Sequence, residues 1–172
     1  MSDEKLFGID IEYSGEPPRR VFLESIDQLD SKRLITLYDY WNAKRGTRPR
    51  PRWDEFDLME IHEVARFIHI RDVIHGGEEF VVRYWGTGLT DALGYEGTGK
   101  AIHEMYNEIM AKTAYQICRE VLHSELPILS TGNVIRDSDK SFKKFISLIL
   151  PLDGTDMPLA HILTGLDFVK PT

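Results

Sequence analysis

The chain has 172 residues, of which 42% are hydrophobic and 28% are charged, and its formal net charge is -7. This length suits one globular domain, and the negative charge argues against general binding to nucleic acid or to an anionic membrane surface. Cys118 is the single cysteine, so an internal disulfide is excluded. The N-terminus lacks the pattern of a signal peptide, and the apolar runs are too short to span a membrane. We therefore expect a cytoplasmic protein.

Residues 1–24 are predicted to be a tail or linker. The segment is acid-rich, and Pro17 and Pro18 near its end have no backbone N–H to contribute to a helix or a sheet. An N-terminal helical extension over residues 25–65 is expected to follow, and then a core over residues 66–168.

The extension begins with a strong helical pattern over residues 26–45. Ser25 and Gln28 have the spacing of a capping box, in which side chains accept hydrogen bonds from free backbone N–H groups. Apolar residues at helical spacing form one stripe: Leu34, Leu37, Tyr38 and Trp41. A shorter helix is predicted between residues 54 and 65.

A β-hairpin is predicted next, with strands over residues 67–74 and 79–85 around Gly76 and Gly77. Glycines accept the positive φ angles of a two-residue hairpin turn. Such a turn fixes the register and places one set of residues on a common face: Ile68, Ile70, Asp72, Ile74, Glu79, Val81, Arg83 and Trp85. Asp72 and Arg83 are then expected to form a pair. Both faces are largely apolar, so both should be covered, one of them by the N-terminal helix.

The remainder of the chain completes an α+β pattern. A glycine-punctuated connector over residues 87–100 and a long helix over residues 102–123 precede three further strands, at residues 128–135, 142–152 and 159–166. The predicted class is therefore α+β, with an antiparallel sheet of about five strands, flanking helices and an extra N-terminal helix.

The segment after the hairpin resembles the PAS superfamily, whose order is also two strands, short helices, a longer helix and three strands. The residues that carry the resemblance are Trp85-Gly86-Thr87-Gly88, Leu93-Gly94-Tyr95 and Gly99-Lys100. Gly86 stands where the superfamily usually has an asparagine.

The chain is similar to a bacterial subfamily of stand-alone PAS domains over about residues 30–166. The matching segments are Tyr40-Trp41, residues 45–52, residues 83–87 and residues 150–154. This resemblance implies a sensory or regulatory module in signal transduction, acting through a small ligand, a protein partner or both. It implies neither an enzyme nor catalytic residues.

Candidate sites follow from this hypothesis. The ligand-binding candidates are Arg83, Trp85, Thr87, Tyr106 and His161. A homodimer is expected through the apolar stripe, and a signalling partner is an alternative. The candidates for this partner surface are Leu34, Leu37, Tyr38, Trp41, Arg48, Arg50 and Arg52. A solvated loop is the simpler interpretation of the basic segment over residues 44–52.

Motifs for nucleotide and metal chemistry are incomplete, and no metal or other cofactor is predicted. The residues from Gly94 to Lys100 fit a P-loop, but Ala101 lacks the hydroxyl that binds Mg²⁺. His62 and His103 each precede a glutamate without the second histidine of a zinc protease.

Haem and flavin are disfavoured on similar grounds. His103 and His123 lie near the ends of the predicted long helix, where a solvated side chain is more common than a haem ligand. Cys118 lies within that helix, where a lone cysteine usually packs in the core.

Two alternatives to a sensory module remain open. One is a small-pocket enzyme on a ketosteroid isomerase-like α+β cone, with its acid or base among Asp72, His69, His103 and His161. The other is a ligand-free structural adaptor with a filled core.

Overall fold

The computed structural model describes residues 11–13, 19–136 and 141–169. Within these ranges the strands form one antiparallel sheet in the order β1-β5-β6-β7-β3-β4, and β2 also pairs with β5. The strands are β1 (Ile11–Tyr13), β2 (Arg19–Phe22), β3 (Ile68–Ile74), β4 (Glu79–Trp85), β5 (Ile128–Arg136), β6 (Ser141–Leu152) and β7 (His161–Val169). The predicted α+β class is confirmed, and β3 to β7 are the five predicted strands.

Helices cover both faces of this sheet. They are α1 (Lys32–Arg45), α2 (His62–Ala65), α3 (Thr87–Leu93), α4 (Ile102–Met105) and α5 (Glu108–Ser124). The outer face is the one that α1 covers, with Leu34 and Leu37 packed among Ile68, Leu148 and Leu163. The inner face is the one that α3, α4 and α5 cover. The alternation of side chains along each strand separates these two layers of the core.

The N-terminal helical pattern is divided into two elements. Ser25 and Gln28 form the expected capping box, but it begins a single 3-10 turn, Ile26–Gln28. The longer helix, α1, begins after Ser31, whose hydroxyl accepts a hydrogen bond from the Leu34 N–H at 3.2 Å. The shorter helix predicted to follow is reduced to a 3-10 turn, Trp53–Glu55, and the four-residue α2.

Two strands lie in the segment predicted to be a tail or linker. Residues 11–13 and 19–22 both pair with β5, and Leu23 donates its N–H to the Pro127 carbonyl at 2.9 Å. The prediction is wrong for these residues, because the free edge of β5 offers backbone groups that even a short strand can pair. The predicted boundaries of the three regions stay a prediction.

The β3–β4 hairpin follows the predicted register at its turn and departs from it further on. Ile74 pairs with Glu79, as expected, but a bulge shifts the register so that Ile70 pairs with Tyr84 and His69 with Trp85. A one-residue shift moves every later side chain to the other face. Trp85 therefore lies on the inner face, whereas the sequence placed it with Ile70 on the face that is now the outer one.

The predicted long helix is interrupted between α4 and α5. Tyr106 and Asn107 have extended backbones, and Asn107 caps α5 by accepting a hydrogen bond from the Met110 N–H at 2.9 Å. The predicted connector over residues 87–100 contains α3, which ends at Gly94 in the left-handed conformation. Both changes position residues along the inner face.

Candidate functional site

A cavity of about 140 Å³ lies between the inner face and α5. Strands β3, β5, β6 and β7 supply its floor, α5 supplies its roof, and residues between α3 and α5 close its side. Most lining groups are apolar: Leu93, Met110, Ala114, Ile117, Cys118, Phe145, Ile149, Leu166 and Phe168. The polar lining groups are His69, Arg71, Tyr95, Tyr106, Thr113, Ser130, Ser147 and Thr164. A mainly apolar cavity with a few convergent polar groups is the usual form of a small-molecule site.

Arg71 is the cationic side chain of this cavity, and it is only 5% exposed. Its Nη2 donates to the Tyr106 hydroxyl at 3.1 Å, and its Nη1 lies 4.0 Å from the Cys118 sulfur. Its Nε has no hydrogen-bond partner among the described residues. Burial acts to lower the pKa of Arg71, but interactions with Tyr106 and Cys118 outweigh it, so the pKa is raised and the group stays charged.

His69 lies two residues before Arg71 on the same face of β3, and its side chain is 5% exposed. Its ring stacks on the Trp85 indole, with centroids 5.5 Å apart and planes inclined by 13°. Burial, and then the Arg71 charge, lower the pKa of His69 well below its usual value, so the imidazole is neutral at pH 7. Its Nδ1 has no hydrogen-bond partner in the described part of the chain.

Hydroxyl groups from the neighbouring strands add further polarity. Ser130 on β5 is 1% exposed, and its Oγ lacks a hydrogen-bond partner among the described residues. Ser147 on β6 donates to the Ser130 carbonyl at 3.5 Å. Buried polar atoms normally have a hydrogen-bond partner. The atoms of Ser130, His69 and Arg71 that lack one among the described residues are therefore unusual for a cavity that serves only as packing.

Two further titratable groups at the cavity, Cys118 and Tyr95, are held in their neutral forms. Burial raises the pKa of the Cys118 thiol, which is 3% exposed. Burial also raises the pKa of Tyr95 well above its usual value, and interaction with Tyr106 adds to the effect. Arg71 is therefore the charged group that faces the cavity at neutral pH.

The comparison with protein families identifies the family of this chain. A family model described as a PAS domain matches residues 29–166, which is more than half of the chain. The chain belongs to the PAS domain family. No curated protein matches it.

Solved structures similar to this PAS domain include light-oxygen-voltage and other PAS domains. A light-oxygen-voltage domain studied with a flavin analogue is 17% identical, with a TM-score of 0.49, and the match covers 67% of this chain and 86% of that one. The PAS domain of a protein from Colwellia psychrerythraea is 13% identical, with a TM-score of 0.47, over 66% of this chain and 98% of that one.

The structure brings one of the five predicted ligand-binding residues to the cavity. Tyr106 lines it, and Trp85 is buried behind His69. Thr87 is exposed at the start of α3. Arg83 and His161 lie on the outer face, where both contact Asp72, at 2.6 and 2.8 Å. The Asp72–Arg83 pair is thus confirmed, but the placement of Arg83 and His161 at the pocket of this PAS domain is wrong, because their strand positions face away from it.

The apolar stripe of α1 is buried in the same chain. Leu34 and Leu37 are 0% exposed and Trp41 is 3% exposed, while Tyr38 is partly buried beside them. The Trp41 indole N–H donates to the Pro151 carbonyl at 3.0 Å. The prediction that Leu34, Leu37, Tyr38 and Trp41 form a partner surface is therefore wrong, since the sheet of the PAS domain already covers this stripe.

The arginines of the basic segment pair with carboxylates of the same chain. Arg48 contacts Glu55 at 2.8 Å, and Arg52 contacts Asp54 at 3.0 Å. Arg50 is 8% exposed and bonds to Asp153 at 2.8 Å, so it is removed from any partner surface. Contact of an acidic partner with Arg48 or Arg52 stays a prediction.

Three polar residues of the cavity were not among the predicted ligand-binding residues: His69, Arg71 and Ser130. His69 was named in the sequence analysis only as a candidate acid or base of the enzyme alternative. The signal for the first two was present, because His69 and Arg71 alternate with Ile68 and Ile70 in an otherwise apolar strand. Polar residues at every second position of such a strand indicate one face that differs from the other. Which face meets a cavity depends on where α5 packs, and that is not visible in β3 itself.

In the described ranges there is no group of histidine, cysteine, aspartate and glutamate that could hold a metal ion. His103 is largely exposed and bonds to Glu79 at 2.8 Å, and His123 is exposed near the end of α5. Likewise, in the part of the chain that the structure describes, no helix has the length and apolar character needed to cross a membrane.

Proposed function

We propose that this PAS domain is a sensory or regulatory module whose inner-face cavity binds a small ligand. The observation that carries the proposal is that buried polar atoms of His69, Arg71 and Ser130, around one mainly apolar cavity, have no hydrogen-bond partner among the described residues. Leaving such atoms unpaired is costly, and a ligand that pairs them would recover that cost. A ligand that binds one conformation better than another would shift the conformations available to a protein partner.

Binding is favoured over catalysis by the state of the cavity groups. A general acid or base works best with a pKa near the operating pH. Burial instead moves the pKa values of His69, Tyr95 and Cys118 away from neutrality, each toward the uncharged form. The other enzyme candidates lie elsewhere: Asp72 and His161 on the outer face and His103 on the surface.

A fragment screen with a pocket-filling variant tests the proposal. Ala114 lines the cavity from α5, so Ala114→Leu places three extra carbons in it. Ala43 is exposed on α1, and Ala43→Leu makes the same change away from the cavity. We expect ligand-detected NMR to find fragments of up to about ten heavy atoms that bind the wild-type protein and Ala43→Leu. Ala114→Leu should lose these fragments.

The proposal is wrong if no fragment binds, or if Ala114→Leu binds the same fragments as strongly as the wild type. A folded Ala114→Leu protein, confirmed by circular dichroism, is required for the comparison. If no fragment binds the wild-type protein, the result would support the structural-adaptor alternative instead.

A further inference from the structure

The cavity holds a buried positive charge without a negative partner in the described part of the chain. Arg71 is 5% exposed, and the hydrogen-bond partners that the structure gives its guanidinium are a hydroxyl and a sulfur. Other arginines of the chain contrast with it: Arg50, also buried, has Asp153 at 2.8 Å, and exposed Arg83 has Asp72 at 2.6 Å. A buried charge is normally paired, because removing it from water without compensation is strongly unfavourable.

We infer that the cavity binds a small monocarboxylate whose oxygens accept hydrogen bonds from the Arg71 guanidinium. This inference rests on the proposed function and names its ligand class. The guanidinium is planar, and its Nε–H has no partner in the part of the chain that the structure describes, so it can offer parallel donors to the two oxygens of a carboxylate. A negative group at this position would neutralise the cavity as well as complete its hydrogen bonds.

The neighbours of Arg71 favour a single negative charge. His69 is neutral because burial lowers its pKa, so it adds no second positive charge to the site. The unpaired atoms of His69 and Ser130 can still hydrogen-bond to polar groups of the ligand. One guanidinium with neutral neighbours matches a monoanion better than a dicarboxylate or a phosphate, whose remaining charge would stay unpaired in an apolar cavity.

The rest of the ligand is expected to be apolar and short. Leu93, Met110, Ile117, Phe145 and Leu166 surround the space beyond the polar groups. The cavity measures about 140 Å³. An engineered cavity of about 150 Å³ in another protein accommodates benzene, which sets the scale of the apolar part of the ligand. Short aliphatic and aromatic monocarboxylates therefore fit the chemistry and the size.

Four compounds separate the charge from the shape of such a ligand. Butyrate and benzoate are titrated into the wild-type protein beside their neutral counterparts, butyramide and benzamide, and affinities are measured by NMR. Hydrogen bonds to a charged group predict at least about a 10-fold higher affinity for each acid than for its amide. Equal affinities of acid and amide would overturn the inference.

Variants then assign the effect to one residue. Arg71→Met replaces the charge with an apolar side chain and should weaken the acids by at least about 10-fold more than it weakens the amides. Arg83→Met removes an exposed arginine of the outer face and should change neither affinity. Arg71→Lys keeps the charge without the planar fork and should retain part of the acid preference. An acid preference that survives in Arg71→Met contradicts the inference, and so does its loss in Arg83→Met.

The outcomes also distinguish this inference from the proposed function. If amides or other neutral fragments bind as well as the acids and Ala114→Leu abolishes their binding, the cavity is a ligand site but the carboxylate assignment is wrong. If neither these four compounds nor any screened fragment binds the wild type, both fail. If Arg71→Met does not fold, Arg71→Lys and the comparison of acids with amides in the wild type decide the question.

Discussion

Leu37→Asp is expected to unfold the domain. Leu37 is 0% exposed on α1 and packs against Gly165 of β7, where a Cβ would overlap the Leu37 side chain. Truncating a buried leucine to alanine costs about 2–5 kcal/mol. A buried carboxylate without a partner adds several kcal/mol more, and the total is comparable to the stability of a typical domain, about 5–15 kcal/mol.

Circular dichroism and the dispersion of an NMR spectrum measure this loss directly. Thr36→Asp, at the adjacent exposed position of α1, should leave the stability within about 0.5 kcal/mol of the wild type. Leu37→Met should cost less than about 1.5 kcal/mol, because it nearly conserves volume. A folded Leu37→Asp protein that changes from dimer to monomer would show that the stripe is a partner surface after all.

Gly86→Ala is expected to destabilise the domain by about 3 kcal/mol or more. A Cβ at Gly86 would overlap the carbonyl oxygen of Arg66 and lie 2.6 Å from the carbonyl oxygen of Ala65. These are backbone atoms, so a rotamer change does not relieve the overlap. The Gly86 N–H also donates to the Ile68 carbonyl oxygen at 2.9 Å, and moving the Gly86 backbone would disturb this hydrogen bond. The close approach explains why a glycine occupies the position that is an asparagine in many PAS domains.

Gly99→Ala is the matched control for this substitution. Gly99 has a φ of +78° and open space where a Cβ would lie, so alanine there meets backbone strain but no overlap. We expect Gly99→Ala to cost only about 1–2 kcal/mol in chemical denaturation. A cost at Gly86 no larger than at Gly99 would contradict the close packing of α3 against residues 65 and 66.

The strands that bury a face were predictable from sequence, whereas features that depend on a neighbour were not. Stretches rich in apolar and β-branched residues predicted β3 to β7 within two residues at most ends, because such residues favour a buried sheet. The bulge near Arg71 leaves no comparable pattern. Helical spacing also continues across Tyr106, so the cap that Asn107 provides for α5 was hidden by residues that fit a continuous helix.

The candidate site could likewise be predicted from the sequence only in part. Tyr106 was predicted to contact a ligand and lines the cavity, although the sequence placed it inside a helix. The two-residue turn predicted that Arg83 and Trp85 share one face of the hairpin. The bulge moves Trp85 to the inner face, whereas Arg71 pairs with Val82 in the register that the turn predicts and is buried on that inner face. The positive charge of Arg71 is visible in the sequence. Its burial, and the absence of a carboxylate beside it among the described residues, are visible only in the structure.

A chemical-shift map with benzoate tests the central claim, that a small monocarboxylate binds on the inner face beneath α5. Benzoate is added to the ¹⁵N-labelled wild-type protein, and the changes in assigned backbone and arginine Nε–H signals are recorded. The expected result is that the largest changes fall at His69, Arg71, Ser130 and the cavity side of α5, with a distinct shift of the Arg71 Nε–H. Changes confined to the outer face around Asp72 and His161 or to the basic segment, or no changes at all, would contradict it.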